Sequence, residues 1–435
     1  MAGLSRSSFI DLRPLTASPA FARLWAGSAL SGLGGQLTIV AVMLQMYAIT
    51  GDTFAVSMIA VAGLVPMIFA GLYGGMLADA FDRRVVALLA ASVTFASTLL
   101  LALLTWFGGE TPAWLYALSI VNSSANSIVL AARMAIIPRL IPRELLPAAS
   151  ALNGISVGMM MMAGPALAGV LVAVAGFGWT YSIDVVLMTS LFLGLWTLPS
   201  IRPEGAPPRP GLQSLRDGWR FLRHASNIRA QYLIDITAMT FGQPLTLFPA
   251  IGAVLLGGGA VTTGVLTAAV AAGAFASSLF SGPIGRVRRH GVGIARAVVV
   301  YGAAVTAFGL VLGAAALGWF APEGVGPHTV NVVLLTLAVI ALAISGAADN
   351  ISAIYRSTMM QTAVPDGIRG RLQGIYVVVV AGGPRIGALY AGALATLFAL
   401  WFPPLVGGLI IMAVVATILR SSPRLRAYDA LHPQP

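Results

Sequence analysis

Five ionisable side chains lie inside long apolar stretches of this sequence, and they are the residues that could do chemistry. They are three aspartates and two arginines, namely Asp184, Asp235, Asp349, Arg133 and Arg385. An ionisable residue at the centre of a membrane helix costs about 2.5–3.5 kcal/mol on insertion scales, so each one is a candidate functional residue. A buried carboxylate can bind and release a proton, whereas an arginine in a low-dielectric cavity can bind an anion.

The three aspartates differ in depth and in neighbours. Asp235 lies about two turns into its apolar stretch and suits a proton carrier best, with a structural polar contact between helices as an equal alternative. Asp349 lies seven residues before Arg356, which places both on one face of a helix. We expect this pair to form an inner gate, with Asp349 also a candidate proton carrier. Asp184, near the outer end of its stretch, is the third candidate.

Arg385 lies near the middle of its apolar stretch. Two roles are open for it, namely binding an anionic ligand and neutralising an internal aspartate. The preceding residues Gly382-Gly383-Pro384 predict an interrupted helix, whose freed backbone groups would line a cavity.

Catalytic chemistry is not expected. The sequence has no cysteine and no lysine, and its four histidines (His224, His290, His328 and His432) lie in or beside polar connections. Catalysis at membrane depth would need a nucleophile and base or metal ligands, and a nucleotide-driven pump would need the lysine of a Walker A loop. We therefore expect no enzyme activity, no cofactor and no metal site.

Long apolar stretches must hold these side chains in place. The chain has 435 residues, of which 58% are hydrophobic and 9% charged, so a soluble domain of ordinary composition is excluded. Twelve stretches are long enough to cross about 30 Å of hydrocarbon. They run over residues 21–49, 54–77, 85–107, 112–137, 146–175, 178–199, 229–251, 260–284, 292–319, 329–355, 372–400 and 404–420.

Arginines predict the orientation of these spans, because cytoplasmic loops collect positive charge. They occur at both ends of the chain and in every even-to-odd connection, whereas the odd-to-even connections have none. We therefore expect a multi-pass inner-membrane protein with both termini in the cytoplasm. Although the formal net charge is +11, no basic domain could cover a nucleic acid.

An internal repeat predicts two related halves. Three positions in the first half match three in the second at a constant offset of 223 residues, pairing Asn126, Arg133 and Pro142 with Asp349, Arg356 and Pro365. Duplicated six-helix halves are a known transporter architecture. The predicted organisation is a tail (1–20), a six-helix bundle (21–199), a central loop with an amphipathic helix (200–228), a second six-helix bundle (229–420) and a tail (421–435).

The loop after the second span, residues 75–84, resembles the signature loop of the major facilitator superfamily. In that family the glycine allows close helix approach, the acid faces a neighbouring helix terminus and the arginines stay cytoplasmic. The resemblance implies that Gly75, Asp79, Arg83 and Arg84 form a gating latch. Ala80 and Asp82 depart from the family pattern, where a basic residue and a glycine are usual.

Glycine-proline pairs predict pivots in spans five and eleven. Gly164-Pro165 lies in a small-residue run similar to the signature of exporters in that superfamily, and Gly383-Pro384 is its counterpart in the second half. Small residues allow tight helix contact, and proline removes a backbone hydrogen bond. We expect these four residues to act as hinges.

Resemblance to a narrower group covers about residues 10 to 420. The segments 11–21, 218–222, 359–365 and 369–371 look like the enterobactin (siderophore) exporter group, with macrolide efflux proteins as near relatives. This implies secondary active export of a siderophore by proton antiport, with multidrug or macrolide efflux as the alternative and a membrane sensor or intramembrane enzyme as a remote one. The expected partners are a small-molecule substrate, protons and membrane lipids, and the expected state is a monomer. Relatives often place an acid in span one, where this chain has Gly34-Gly35-Gln36.

Overall fold

A computed structural model describes residues 11–202, 220–279, 287–320, 329–432 and 434, with only the backbone described at 366–371 and 373–381. The start of the amino-terminal tail and most of the central loop, including all but the last turn of the proposed amphipathic helix, lie outside the described residues; residues 220–223 are helical.

The first part of the chain is almost entirely helical over its described residues. Asp82 and Thr111 begin α5 and α6 by accepting hydrogen bonds from backbone N–H groups of the first turn. The helices are α1 (Arg13–Ala17), α2 (Pro19–Thr50), α3 (Thr53–Ala62), α4 (Leu64–Ala80), α5 (Arg83–Trp106), α6 (Pro112–Leu140) and α7 (Leu146–Trp196).

The second part repeats this helical pattern. Three short helical segments lie between its first two long helices, namely a 3₁₀ turn (Leu245–Leu247), a short α-helical turn (Phe248–Ala250) and a π-helical turn (Ile251–Leu255). The helices are α8 (Ser226–Phe241), α9 (Gly259–Leu279), α10 (His290–Ala316), α11 (Val332–Ala363), α12 (Asp366–Leu397), α13 (Phe402–Ser421) and α14 (Pro423–Ala427).

Length and hydropathy make ten helical segments of the described chain candidates for membrane spans. One of them, Arg143–Trp196, is 54 residues long and covers the predicted spans five and six. Gly176 divides it, because its φ of 84° is a left-handed conformation that glycine adopts readily. The all-α membrane architecture is confirmed, whereas the count of twelve spans stays a prediction.

The chain divides into two compact units. The first comprises Met1–Ile49 and Val65–Pro208, and the second comprises Thr50–Leu64 and Arg209–Pro435. The second unit therefore includes α3, the first part of the predicted second span. Ser57 of α3 donates a hydrogen bond of 3.0 Å to Thr246, and a Cβ at Gly392 of α12 would lie 2.7 Å from the Cβ of Ser57.

Close approach of small residues holds the first unit together. The second part of α7 packs antiparallel to α2, because residues later in α7 contact residues earlier in α2. A Cβ at Gly27 would lie 3.2 Å from the Cα of Leu191, and one at Gly194 would lie 3.3 Å from the Cα of Leu24. Membrane helices associate through such contacts because lipid supplies no hydrophobic drive between them.

Glycines also allow close packing at two helix pairs of the second unit. Glycines allow backbone contact between α9 and α11 at Gly273 and Gly346, and between α10 and α13 at Gly302 and Gly408. Beside these contacts lies a buried cluster that includes Ile234, Val298, Tyr301, Met359, Ile411 and Val415.

Interruption of the backbone occurs in span seven rather than in span eleven. α8 ends at Phe241, and Gly242 and Pro244 follow in a non-helical segment. The hydroxyl of Tyr301 donates a hydrogen bond of 2.7 Å to the carbonyl of Gly242, which satisfies a group freed by the break. By contrast, α12 continues through Pro384, so the predicted break before Arg385 is wrong. Packing keeps that helix in place, since a Cβ at Gly383 would lie 2.7 Å from the Cβ of Met239.

Candidate functional site

Three of the predicted site residues meet in the second unit. Arg356 forms ion pairs with Asp235 and, at 3.4 Å, with Asp349. Asp235 is 0% exposed and Arg356 is 4% exposed, so the pair between them is withdrawn from water. The sequence predicts Asp235 as a separate proton carrier and Asp349 with Arg356 as a gate, whereas the structure joins all three in one cluster.

Helical geometry explains how the cluster forms. Asp349 and Arg356 both lie on α11, seven residues apart and therefore on one face. Asp235 comes from α8, which the buried apolar cluster packs beside α11. The cluster contains two carboxylates and one guanidinium, so it carries one net negative charge when all three are ionised. Its charge changes if a proton binds to either aspartate.

Asp184 lies in a different environment in the first unit. It is 1% exposed, and its Oδ2 accepts a hydrogen bond of 2.5 Å from the hydroxyl of Thr38. Its Oδ1 has no hydrogen-bond partner, and no cation pairs with it among the described side chains. A Cβ at Gly34 would lie 3.0 Å from the Asp184 Cγ, so glycine at that position makes room for the carboxyl group. The carboxyl group thus reaches the first span from the sixth.

Arg133 lies on α6 and is the repeat counterpart of Arg356. No carboxylate pairs with it within the described chain, because Asn126 stands where the second half has Asp349. Its Nε is buried without a hydrogen-bond partner. The repeat therefore keeps the guanidinium in both halves but supplies carboxylates only in the second.

Arg385 is partly buried on α12, just after Gly383-Pro384. It does not join the cluster of Asp235, Arg356 and Asp349 among the ion pairs that the structure describes. Its two roles, binding an anionic ligand and neutralising an internal aspartate, stay predictions.

Arg83 anchors the signature loop in the first unit. It pairs with Asp79 at 3.8 Å and donates hydrogen bonds to the carbonyl of Ala135 at 2.9 Å and that of Ala78 at 3.2 Å. Arg84 donates one of 2.7 Å to the carbonyl of Trp196. Through Ala78 and Trp196, the two arginines thus reach carbonyls in the last turns of α4 and α7, where positive charge is stabilising.

Asp82, where the resemblance leads one to expect glycine, makes a second anchor. Its carboxylate accepts hydrogen bonds from the hydroxyl of Ser200 at 2.7 Å and from the backbone N–H of Ile201 at 3.1 Å, and it caps α5 through Arg84 N–H. Partial burial opposes ionisation, but these hydrogen bonds outweigh it and hold the pKa of Asp82 below its ordinary value of 3.8. The loop is therefore tied to the chain segment that follows α7.

Glycines at the predicted latch and hinges differ in their contacts. A Cβ at Gly75 would meet open space, whereas one at Gly74 would lie 2.9 Å from the Cα of Ile128, so close helix approach occurs one residue earlier. A Cβ at Gly164 would clash with Gln36 of α2. α7 is helical through Pro165, and a pivot there or at Gly383-Pro384 stays a prediction.

Sequence reasoning missed the partners of Asp184. Thr38 and Gln45 are two helical turns apart on α2, and Tyr181 and Asp184 are nearly one turn apart on α7. The hydroxyl of Tyr181 donates a hydrogen bond of 2.7 Å to Gln45, parallel to the bond between Thr38 and Asp184. The signal that could have indicated this pairing is that each of the two apolar stretches has polar residues on one helical face, seven residues apart in α2 and three apart in α7.

Comparison with known proteins identifies the family. The profile of the transmembrane secretion effector family matches residues 11–435. The enterobactin exporter EntS of Citrobacter koseri is 27% identical over 392 residues, which cover 90% of this chain and 89% of that protein. EntS of Escherichia coli O1:K1 / APEC is 26% identical over 435 residues, covering 98% of this chain and 99% of that protein.

Solved structures show the fold. A POT family transporter in complex with a thioalcohol-conjugated peptide superposes with a TM-score of 0.72 at 12% identity, covering 94% of this chain and 96% of that one. The nucleoside transporter NupG gives 0.68 at 16% identity, covering 92% and 98%. These similar proteins are major facilitator transporters rather than enzymes. The chain therefore belongs to the transmembrane secretion effector family and has the major facilitator fold.

Proposed function

We propose that this protein is a secondary active exporter of a siderophore related to enterobactin, and that it exchanges the siderophore for protons. The family match and the exporters similar over nearly the whole chain support export. Both termini would lie in the cytoplasm, as the distribution of arginines predicts, and the chain would work as a monomer.

Asp184 is our first candidate for the proton carrier. A buried charge without a partner is costly, so a carboxyl group in this setting favours its neutral form until water or a cation reaches it. Thr38 offers one hydrogen bond, and Oδ1 is left without one. Alternating access would change this environment by admitting water from one side, which is what a carrier requires.

Asp235 and Asp349 are the alternative carriers. The guanidinium of Arg356 stabilises the charged form of the carboxylates beside it, and the buried pair with Asp235 therefore favours a structural role. Asp349, with its side chain 32% exposed, is the more accessible of the two. Proton transfer at this cluster would require Arg356 to move away from a carboxylate during the cycle.

The guanidinium of Arg133 is the feature that best supports an anionic ligand. A catecholate siderophore is polyphenolic and partly anionic, so it would gain from a guanidinium in a low-dielectric cavity. Arg356 has two carboxylates beside it, whereas its repeat counterpart Arg133 has none among the described residues. Arg385 would be a second cationic contact for the same ligand.

Export of enterobactin from cells, measured for Arg133→Gln, tests this role. Arg139→Gln is the matched control, because it removes the same charge from the same helix nearer its end. We expect export to fall strongly in Arg133→Gln and little in Arg139→Gln, with both proteins present at wild-type amounts in the membrane. Unchanged export in Arg133→Gln would remove Arg133 from the ligand path.

Multidrug efflux is the second candidate function, and the methionines of α7 favour it. Met159 and Met161 are 56% and 52% exposed in a run of four methionines. Methionine side chains adapt to ligands of different shape. Export of cationic dyes at rates equal to that of enterobactin would favour this broader function.

A further inference from the structure

An arginine-lined crevice lies between α10 and α11 in the second unit. Its volume is about 720 Å³. The wall is largely apolar, with Val292, Val300, Ile351 and Tyr355 among the lining residues. None of these residues belongs to the proposed proton or ligand sites.

Three arginines line the crevice, and two of them have no acidic partner among the residues that the structure describes. Arg288 pairs with Asp429 at 3.2 Å, whereas Arg289 and Arg296 form no ion pair within the described parts of the chain. Both are exposed. Arg289 immediately precedes α10 and Arg296 lies on it seven residues later, about 10 Å along the helix. Both line the crevice, and two long side chains at this spacing can reach one headgroup.

Apolar walls beside uncompensated arginines match the chemistry of an anionic phospholipid. A phosphate would accept hydrogen bonds from guanidinium groups, which bind phosphate in two-pronged geometry. An acyl chain would cover the valine and isoleucine side chains, which a free phosphate ion would leave exposed to water. Basic pockets between membrane helices on the cytoplasmic side are typical sites for such headgroups.

We propose that this crevice binds an anionic phospholipid of the inner leaflet, with its phosphate at Arg289 and Arg296 and an acyl chain along Val292 and Val300. The lipid fills the space between α10 and α11 and braces them at the end where α14 and Asp429 also pack. This proposal is independent of which substrate the protein exports.

Phosphatidylglycerol binding to the purified full-length protein tests the proposal. Native mass spectrometry measures bound lipid, and the thermal midpoint in detergent measures its effect on stability. The double variant Arg289→Gln/Arg296→Gln removes both cations. Arg424→Gln/Arg426→Gln removes the same charge from exposed arginines of α14 that do not line the crevice.

We expect phosphatidylglycerol to raise the thermal midpoint of the wild type more than phosphatidylcholine does. A basic residue near an anionic lipid contributes about 1 kcal/mol, so removing two should weaken binding about 25-fold. The Arg424/Arg426 variant should bind as the wild type does. Equal binding in both double variants, or equal weakening in both, would overturn the proposal.

Val300→Trp separates a lipid from a phosphate ion while keeping every charge. Val300 is 48% exposed, so a larger side chain there fills the crevice without entering the core. We expect this variant to lose the phosphatidylglycerol-specific shift, and inorganic phosphate to give no comparable shift in the wild type. Full retention of the lipid effect in Val300→Trp, or an equal effect of inorganic phosphate, would contradict an acyl chain in this crevice.

Discussion

Removing the guanidinium of Arg356 should destabilise the protein more than removing either carboxylate beside it. Arg356→Gln leaves Asp235, which is 0% exposed, without a cation. Breaking a buried ion pair by removing one partner costs about 3–5 kcal/mol, mostly because the remaining charge stays buried. Arg356→Gln should therefore lower the free energy of unfolding by about that amount.

The two aspartate variants provide a graded comparison. Asp235→Asn leaves Arg356 paired with Asp349 at 3.4 Å, so the guanidinium keeps a partner. We expect the lost contact with a charged group to cost about 1.5–3 kcal/mol. Asp349→Asn removes a carboxylate whose side chain is 32% exposed, and pairs with water access contribute about 0–1 kcal/mol. The expected order of destabilisation is Arg356→Gln, then Asp235→Asn, then Asp349→Asn.

Reversible unfolding by sodium dodecyl sulfate in mixed micelles measures these differences. The double variant Asp235→Asn/Arg356→Gln is the decisive member of the series, because it leaves no buried charge at position 235. It should be more stable than Arg356→Gln alone. A double variant as unstable as the sum of the two single variants would refute the reasoning, since the two groups would then not interact.

Three further predictions concern the loop, the ligand and the topology. Asp82→Gly removes the acceptor for Ser200 and should lower the thermal midpoint at neutral pH. The pKa of Asp82 is held below 3.8, so its contribution to stability is present above that pH and is lost as the pH falls through the lowered pKa. The thermal midpoints of wild type and variant should therefore converge in acid, and a difference that stays constant with pH would contradict this. Arg385→Gln should reduce export of an anionic siderophore more than that of a cationic dye, and equal losses would assign Arg385 to the fold. A cysteine at residue 205 should not react with an impermeant external reagent in intact cells, and labelling would place the central loop outside.

The helical membrane fold could be predicted from the sequence because apolar length and arginine placement depend on the lipid environment alone. The positions at which a helix is interrupted could not be predicted in this way. Gly382-Gly383-Pro384 and Gly242-Gln243-Pro244 have similar composition, yet only the second interrupts a helix. The difference comes from neighbours, since Met239 packs against Gly383 while Tyr301 satisfies the free carbonyl of Gly242.

The candidate site was predictable as a set of residues but not as an arrangement. Spacing on one helix placed Asp349 with Arg356, because residues seven apart share a face. Contacts between helices are not fixed by spacing, so Asp235 was not assigned to that cluster. For the same reason the sequence did not indicate that Asp184 lies beside Gly34.

Proton-driven export is the central claim, and its most direct test is siderophore uptake into inverted membrane vesicles under an imposed pH gradient. Enterobactin uptake by wild-type vesicles should rise when the interior is acid and stop when an ionophore collapses the gradient. Asp184→Asn, which keeps the size of the side chain but cannot bind and release a proton, should give uptake that no longer responds to the gradient. Uptake by the wild type that is independent of every imposed gradient would contradict proton exchange, and a full gradient response in Asp184→Asn would contradict Asp184 as the carrier.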